Sequence, residues 1–412
     1  MYYLLIAILI FLAIFDYIKN KNILTPTFLF NSIWGITLFL YEFKMSYIQN
    51  DLSEKTINIF FVCVISFNLT MWILSIFRKR KNKTTKEKKY LGLFKPKFST
   101  QQKLNFFKYL TVILFVIEVI YSRGVPFVWK LMKNGKTYFD FGIPSLNGAL
   151  YGLIICLGAY SIFNKRKDKY LYIIIGILVL SRQVILSTII EGIVYAILNK
   201  NINLKKGRIT IIAIVVFLGF MILGNFRSGN DVMDKVFKPK EQYAYLPDSV
   251  KWVYSYMTFS ISNFNNLVHI TNGGINKGAT IINDMLPTIL RKKFKINKTF
   301  NRNYLVSRNY TVSTYLSSLY LDFDIIGIAI FNVLLALFGF YIFEKTMKYK
   351  NSDRYLMFYS IYVHNIVFLF FVNMFIYPPI YIQFIYDMLI FDGGGKFNEH
   401  KKQTDFNNST NI

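Results

Sequence analysis

The chain alternates long apolar runs with short, mostly basic connections. The runs cover residues 3–18, 24–41, 57–77, 109–121, 146–163, 170–180, 184–198, 209–223, 325–343, 355–375 and 380–391. About 20 apolar residues of helix span a bilayer, so the pattern predicts an all-α polytopic integral membrane protein with about eleven transmembrane helices. Residues 170–198 are either one overlong helix or two short ones folded back at Ser181, Arg182 and Gln183. The hairpin is the better reading because it keeps the short basic loops on one side of the membrane.

Those loops set the expected orientation. Residues 78–108 carry RKRKNKTTKEKKY, and counting spans onward puts NKRKDK (164–169), KNINLKKGR (200–208) and the loop 345–354 on the same side. Basic loops of this length stay in the cytoplasm. The amino terminus is then expected outside and the polar tail 392–412 inside. The organisation expected is 1–163, amino-terminal spans; 164–224, the hairpin and following span; 225–308, one large extracytoplasmic loop; 309–391, a motif segment and the last spans; and 392–412, the tail.

Composition agrees. Of 412 residues 54% are hydrophobic and the mean hydropathy is +0.35, too apolar for one soluble domain. The start of the chain lacks the basic flank and cleavage site of a secretory signal and reads as a retained helix. The net charge of +27 reflects orienting loops rather than nucleic-acid binding. It does not account for thirteen Lys and Arg against five acids in the loop 225–308, since loops that long escape the orienting rule. An anionic substrate or anionic lipid headgroups would explain them. Cys63 and Cys156 lie within apolar runs, where cysteine packs as a small hydrophobe.

The candidate chemistry gathers at the predicted outer face. Arg182, Arg227 and Arg308 come from distant segments, and guanidinium groups match phosphate oxygens in pairs, which suits a diphosphate. The plainer alternative has them snorkelling to headgroups or pairing with Glu118 or Glu191. Asp322 and Asp324 precede the ninth run, where an acid could accept a hydroxyl proton, orient an arginine or favour a helix start. His269 in the long loop is a possible general base. No HxxEH, CxxC or Walker pattern occurs, so neither a metal nor a nucleotide cofactor is expected.

Asn309-Tyr310-Thr311, then Leu319-Tyr320-Leu321-Asp322-Phe323 and Gly327, are similar to the Asn-x-Thr and Tyr-x-Asp-Phe-Gly-x-x-Gly signature of the Wzy-type polymerases of O-antigen and capsular repeat units. Arg182 between two short runs, Arg227-Ser228-Gly229 after the next, and the long external loop add to the likeness. Asp324 departs from it, standing where the pattern has glycine. The resemblance implies a metal-independent glycosyltransferase of the bacterial cytoplasmic membrane, with polyprenyl-diphosphate-linked oligosaccharide as substrate. A chain-length regulator and a flippase would be partners beside membrane lipids. It implies Arg182, Arg227 and Arg308 on the diphosphate, Asn309, Thr311 and Tyr320 on the glycan, and Asp322, Asp324 or His269 in catalysis. A flippase or transporter of the same lipid-linked sugars, or a glycan ligase, is the alternative.

Overall fold

The computed structural model describes residues 1–81, 98–164, 166–199, 236–293, 303–307 and 310–392. The predicted span 209–223 lies outside them, as do Arg227, Arg308, Asn309, the basic stretch 294–302 and the tail from 393. Among the described residues the protein is helical throughout. It has no sheet, only an isolated bridge between Ser46 and Pro239.

Three helices open the chain: α1 (Tyr2–Asn20), α2 (Pro26–Glu42) and α3 (Glu54–Lys81). Lys21 in the left-handed region ends α1, and Thr25 then caps α2 through the Phe28 amide with Pro26 in the first turn. Asn31 and Asn68 exchange amide hydrogen bonds at 2.8 and 2.9 Å between α2 and α3, beside the stacked rings of Phe30 and Phe67. Such polar contacts hold helices together where the apolar effect is weak. On α1 only Leu5, Ile6, Leu9 and Ala13 are buried, while Leu4, Ile10, Phe11 and Ile14 face outward, as expected against hydrocarbon.

Next come α4 (Thr100–Ser122), the short α5 (Pro126–Leu131) and α6 (Leu146–Phe163). A capping box between Ser99 and Gln102 starts α4. The run 170–198 is two helices, α7 (Lys169–Val179) and α8 (Arg182–Leu198), separated by Leu180 in the left-handed region and by the Ser181 cap on the Val184 amide. They are antiparallel. Asn164, just before α7, reaches Tyr195 near the far end of α8 at 3.1 Å.

The carboxy-terminal half holds α9 (Asp248–Ile270), α10 (Ala279–Met285), α11 (Thr288–Lys293), α12 (Leu316–Lys348), α13 (Asp353–Val367) and α14 (Pro378–Ile390). Five stretches are long and apolar enough to cross a membrane: Tyr2–Asn20, Glu54–Arg78, Thr100–Leu131, Leu146–Phe163 and Leu316–Lys348. The chain is therefore a helical, multi-pass membrane protein. Helices α8, α13 and α14 are shorter and lie largely inside the bundle, so the count of eleven spans is not reached by length and composition among the described residues.

A second difference concerns the expected external loop. Residues 248–270 form a 23-residue helix with a mostly buried surface, packed against α2, α3 and α12. Hydropathy passes over it because its interior face carries Ser, Thr and Asn. Their side chains bond backbone instead of water: Thr258 to the Tyr254 carbonyl, Asn265 to that of Asp51, and Asn263 to those of Tyr310 and Val312. Such a helix is stable inside protein and costly in lipid.

Three of the four loops expected to be cytoplasmic are tied together at one end, the fourth, 200–208, lying outside the described residues. Lys103 pairs with Asp392 at 2.8 Å, Asp168 with Lys108 and Arg166, and Arg354 bonds the carbonyls of Met388 and Phe391. Asp353 accepts from Tyr195 at 2.7 Å and from Tyr160 at 3.2 Å.

Candidate functional site

At the other end the starts of α6, α12 and α14 meet α10, α11 and the segments 311–314 and 372–377 around a cleft of about 480 Å³. Its polar lining is mainly hydroxyl and amide: Ser145, Asn147, Thr288, Thr311, Ser313, Thr314, Ser317, Ser318, Asn373 and four tyrosines. Two charged side chains join them, Arg291 and Asp284. Hydrogen bonds close the wall, from the Ile289 amide to Ser145 at 3.1 Å and from Tyr381 to the Met285 carbonyl at 2.9 Å.

Arg291 is held by neutral groups. Its Nη1 donates to Asn283 Oδ1 at 3.3 Å and its Nη2 to Thr288 Oγ1 at 2.8 Å, while Nε has no hydrogen-bond partner and the residue makes no ion pair among the described residues. Both anchors leave the positive charge uncancelled and leave donors over, which is what binding a doubly charged oxyanion requires. Among the described residues two further lining groups are buried and unpartnered: Asn373 Nδ2 and Thr314 Oγ1. A buried polar atom without a partner costs about 1–3 kcal/mol, so these atoms are places where a ligand would repay the protein.

The central signature lies beside this cleft and fixes its wall. At Asp324 the chain breaks out of helix (φ 55°, ψ −152°), a conformation glycine adopts most easily. The break robs the Tyr320 and Leu321 carbonyls of their normal partners four residues on. The amides of Gly274 and Asn276 replace them, each at 2.9 Å. In return the Asp322 carboxylate, 1% exposed, accepts the Thr280 and Ile281 amides at 3.0 and 2.8 Å, the free donors at the start of α10. Tyr320 adds a bond to the Thr271 carbonyl at 3.2 Å, with the Lys55 ammonium over its ring. The signature is thus a clasp on the segment leading to Asp284 and Arg291. The Asp324 carboxyl lies where a Cβ on Gly273 would be.

The expected site residues are dispersed. Thr311 lines the cleft. Tyr320 and Asp322 are buried in the clasp and Asp324 is at its break. His269, exposed at the end of α9, lines a separate opening of about 300 Å³ with Ser53 and Lys55. Arg182 begins α8 and is buried, its Nη1 3.4 Å from the Tyr256 hydroxyl and its guanidinium 6.0 Å from the Trp252 ring. Arg182 is not among the cleft residues, and Arg227, Arg308 and Asn309 lie outside the described residues.

Sequence reasoning missed Arg291, Asp284, Thr314 and Asn373. The first belongs to the basic stretch RKKFK, whose excess charge was visible without singling out one residue. Asn373 follows an apolar run and carries no motif; only the fold brings it to the cleft. Among the described residues no group of three or more His, Cys, Asp or Glu side chains is arranged to hold a metal ion. Comparison of the chain with family models, curated proteins and solved structures gives no match.

Proposed function

We propose that the protein is a membrane glycosyltransferase that polymerises polyprenyl-diphosphate-linked oligosaccharide repeat units, with the cleft as its reaction site. The observation that carries this reading is the lining: hydroxyls and amides suited to a sugar, one uncancelled arginine suited to a phosphate, and one carboxylate, all at the end of the bundle opposite the basic loops. By the charge rule those loops face the cytoplasm, which sets the cleft at the outer surface of a bacterial cytoplasmic membrane, in a bundle of about eleven spans.

In this mechanism Arg291 binds the donor diphosphate and neutralises the charge it gains as it leaves. The acceptor hydroxyl oxygen attacks the donor's anomeric carbon as the bond from that carbon to phosphate oxygen breaks. The hydroxyl proton passes to Asp284, and the polyprenyl diphosphate departs with the bonding electron pair. Diphosphate is a good leaving group, so positioning and charge stabilisation carry the catalysis. Asp322 and Tyr320 act as positioning residues that hold α10 and α11 against the cleft. Arg182, buried among aromatic rings, supports the neighbouring outer end of α8.

The test is the size distribution of lipid-linked glycans in proteoliposomes that hold the full chain and outward-facing repeat units. A ladder made by the native chain and lost in Arg291→Ala is expected. Translocation of lipid-linked sugar without a ladder would replace this reading with the flippase alternative.

A further inference from the structure

Four helices of the bundle interior each turn a polar group toward one fully buried spot that the proposed reaction does not use. Glu191 comes from α8, His364 and Asn365 from α13, Gln383 and Asp387 from α14, and Cys156 from α6, and every one is at 0% exposure. His364 is satisfied without either acid. Its Nε2 lies 2.8 Å from Ser187 Oγ and its Nδ1 3.0 Å from Asn365 Oδ1, with Glu191 Oε1 farther away at 3.7 Å. Cys156 Sγ donates to Asp387 Oδ1 at 3.0 Å.

The acceptors are then in surplus. Among the described residues, both oxygens of Glu191, Oδ2 of Asp387 and Oε1 of Gln383 are buried with no donor at hydrogen-bond distance and angle, against one unmatched donor, Asn365 Nδ2. Glu191 is within electrostatic reach of Asp387 and beside the Gln383 amide, so the four oxygens belong to one neighbourhood. Arg354 at the start of α13 also acts on Asp387, but its hydrogen bonds go to the Met388 and Phe391 carbonyls. Two carboxyl groups that hold three of these four oxygens, deep in a membrane protein and with Asn365 Nδ2 as the one unmatched donor of the group, call for positive charge. Unpaired buried acids are otherwise among the costliest features a bundle can keep.

We propose that Glu191 and Asp387, with Gln383, form an intramembrane site for one small positive charge, a proton or an alkali cation. The site is joined to the cleft by helix geometry. Asp387 is eight residues along α14 from Pro379, which lines the cleft, while Glu191 is nine residues along α8 from Arg182, which lies off the cleft. Those offsets are about 12 and 14 Å of helix rise. Filling or emptying the site would change how α8 and α14 pack beneath the outer cleft. This inference does not depend on the proposed reaction.

The experiment uses the full chain in detergent and reads its thermal midpoint. Sodium chloride is compared with choline chloride at constant ionic strength and fixed pH, and pH is then varied in choline alone. Native protein is compared with Glu191→Gln and Asp387→Asn. A sodium-dependent midpoint that both variants flatten identifies an alkali-cation site. A midpoint indifferent to sodium but with a pH profile that the variants flatten identifies a proton site. Native and variant profiles that run parallel in both series overturn the proposal. Should the variants fail to fold, the native chain is treated with a hydrophobic carbodiimide, which reacts with protonated buried carboxyls, and Glu191 and Asp387 are followed by peptide mass spectrometry. Protection by sodium or by raised pH supports the site. Modification insensitive to both, or none under any condition, overturns it.

Discussion

The two ends of the bundle are built from similar residues and finished differently. At the basic-loop end, charge meets charge: Lys103 with Asp392, and Asp168 with both Lys108 and Arg166. Asp353 there collects two tyrosine hydroxyls. At the cleft end, among the described residues, Arg291 is tied only to neutral groups, and Thr314 and Asn373 keep buried polar atoms without partners. The first arrangement suits stability. The second forgoes part of it and leaves recognition groups ready for a ligand, which is how functional sites commonly differ from structural ones.

Substitution at each end should separate the two roles. Arg291→Ala is expected to lower polymerisation at least about 100-fold, the order of effect for losing a charge-stabilising donor, while leaving the thermal midpoint nearly unchanged. Asp353→Ala should do the reverse. It removes an acceptor shared by Tyr195 and Tyr160, and hydrogen bonds to a charged group are worth about 1.5–3 kcal/mol each. The midpoint should fall by several degrees, with unchanged specific activity in the protein that stays folded. If Asp353→Ala instead abolished activity at full stability, the division between the ends would be lost.

Thr314→Val sharpens the same contrast. The hydroxyl is buried and unpartnered, so an isosteric apolar replacement should leave stability equal or slightly higher. If the hydroxyl binds glycan, polymerisation should fall about tenfold, equivalent to one hydrogen bond of about 1.4 kcal/mol. Equal activity in the variant would remove Thr314 from the site.

How much of this was legible from sequence follows the physics of each signal. Apolar runs carry length and period, so the helical membrane class, the breaks after Lys21 and Leu180, and the association of the basic loops could all be expected from them. The helix at 248–270 could not be recognised as interior, because Ser255, Thr258, Ser260, Asn263 and Asn265 lower its hydropathy and the backbone groups that Ser260, Asn263 and Asn265 bond come from elsewhere in the fold. The stretch around Asp322 stood out as a signature, but its two amide partners are some forty residues earlier in the chain. Spacing alone could not distinguish a clasp from a catalytic acid. Arg291 was hidden among similar basic neighbours, and only its neutral anchors and its place on the cleft distinguish it.

Asp324 is where local sequence and local structure disagree most directly. Its φ of 55° and ψ of −152° suit glycine, the residue that the resembling signature has at that position. Holding an aspartate there costs about 1–3 kcal/mol, and its Oδ1 does not offset this, being buried without a hydrogen-bond partner among the described residues. Asp324→Gly should relieve the backbone and remove the orphaned oxygen, against the greater freedom of glycine in the unfolded chain, which opposes it by about 1 kcal/mol. The net expectation is a stabilisation of about 1 kcal/mol, read as a higher thermal midpoint, with the clasp to Gly274, Asn276, Thr280 and Ile281 unchanged. Polymerisation should persist, because the clasp needs the break and not the carboxyl. A stabilised but inactive Asp324→Gly would give the carboxyl a role in the reaction and move the working site from the cleft to the break itself.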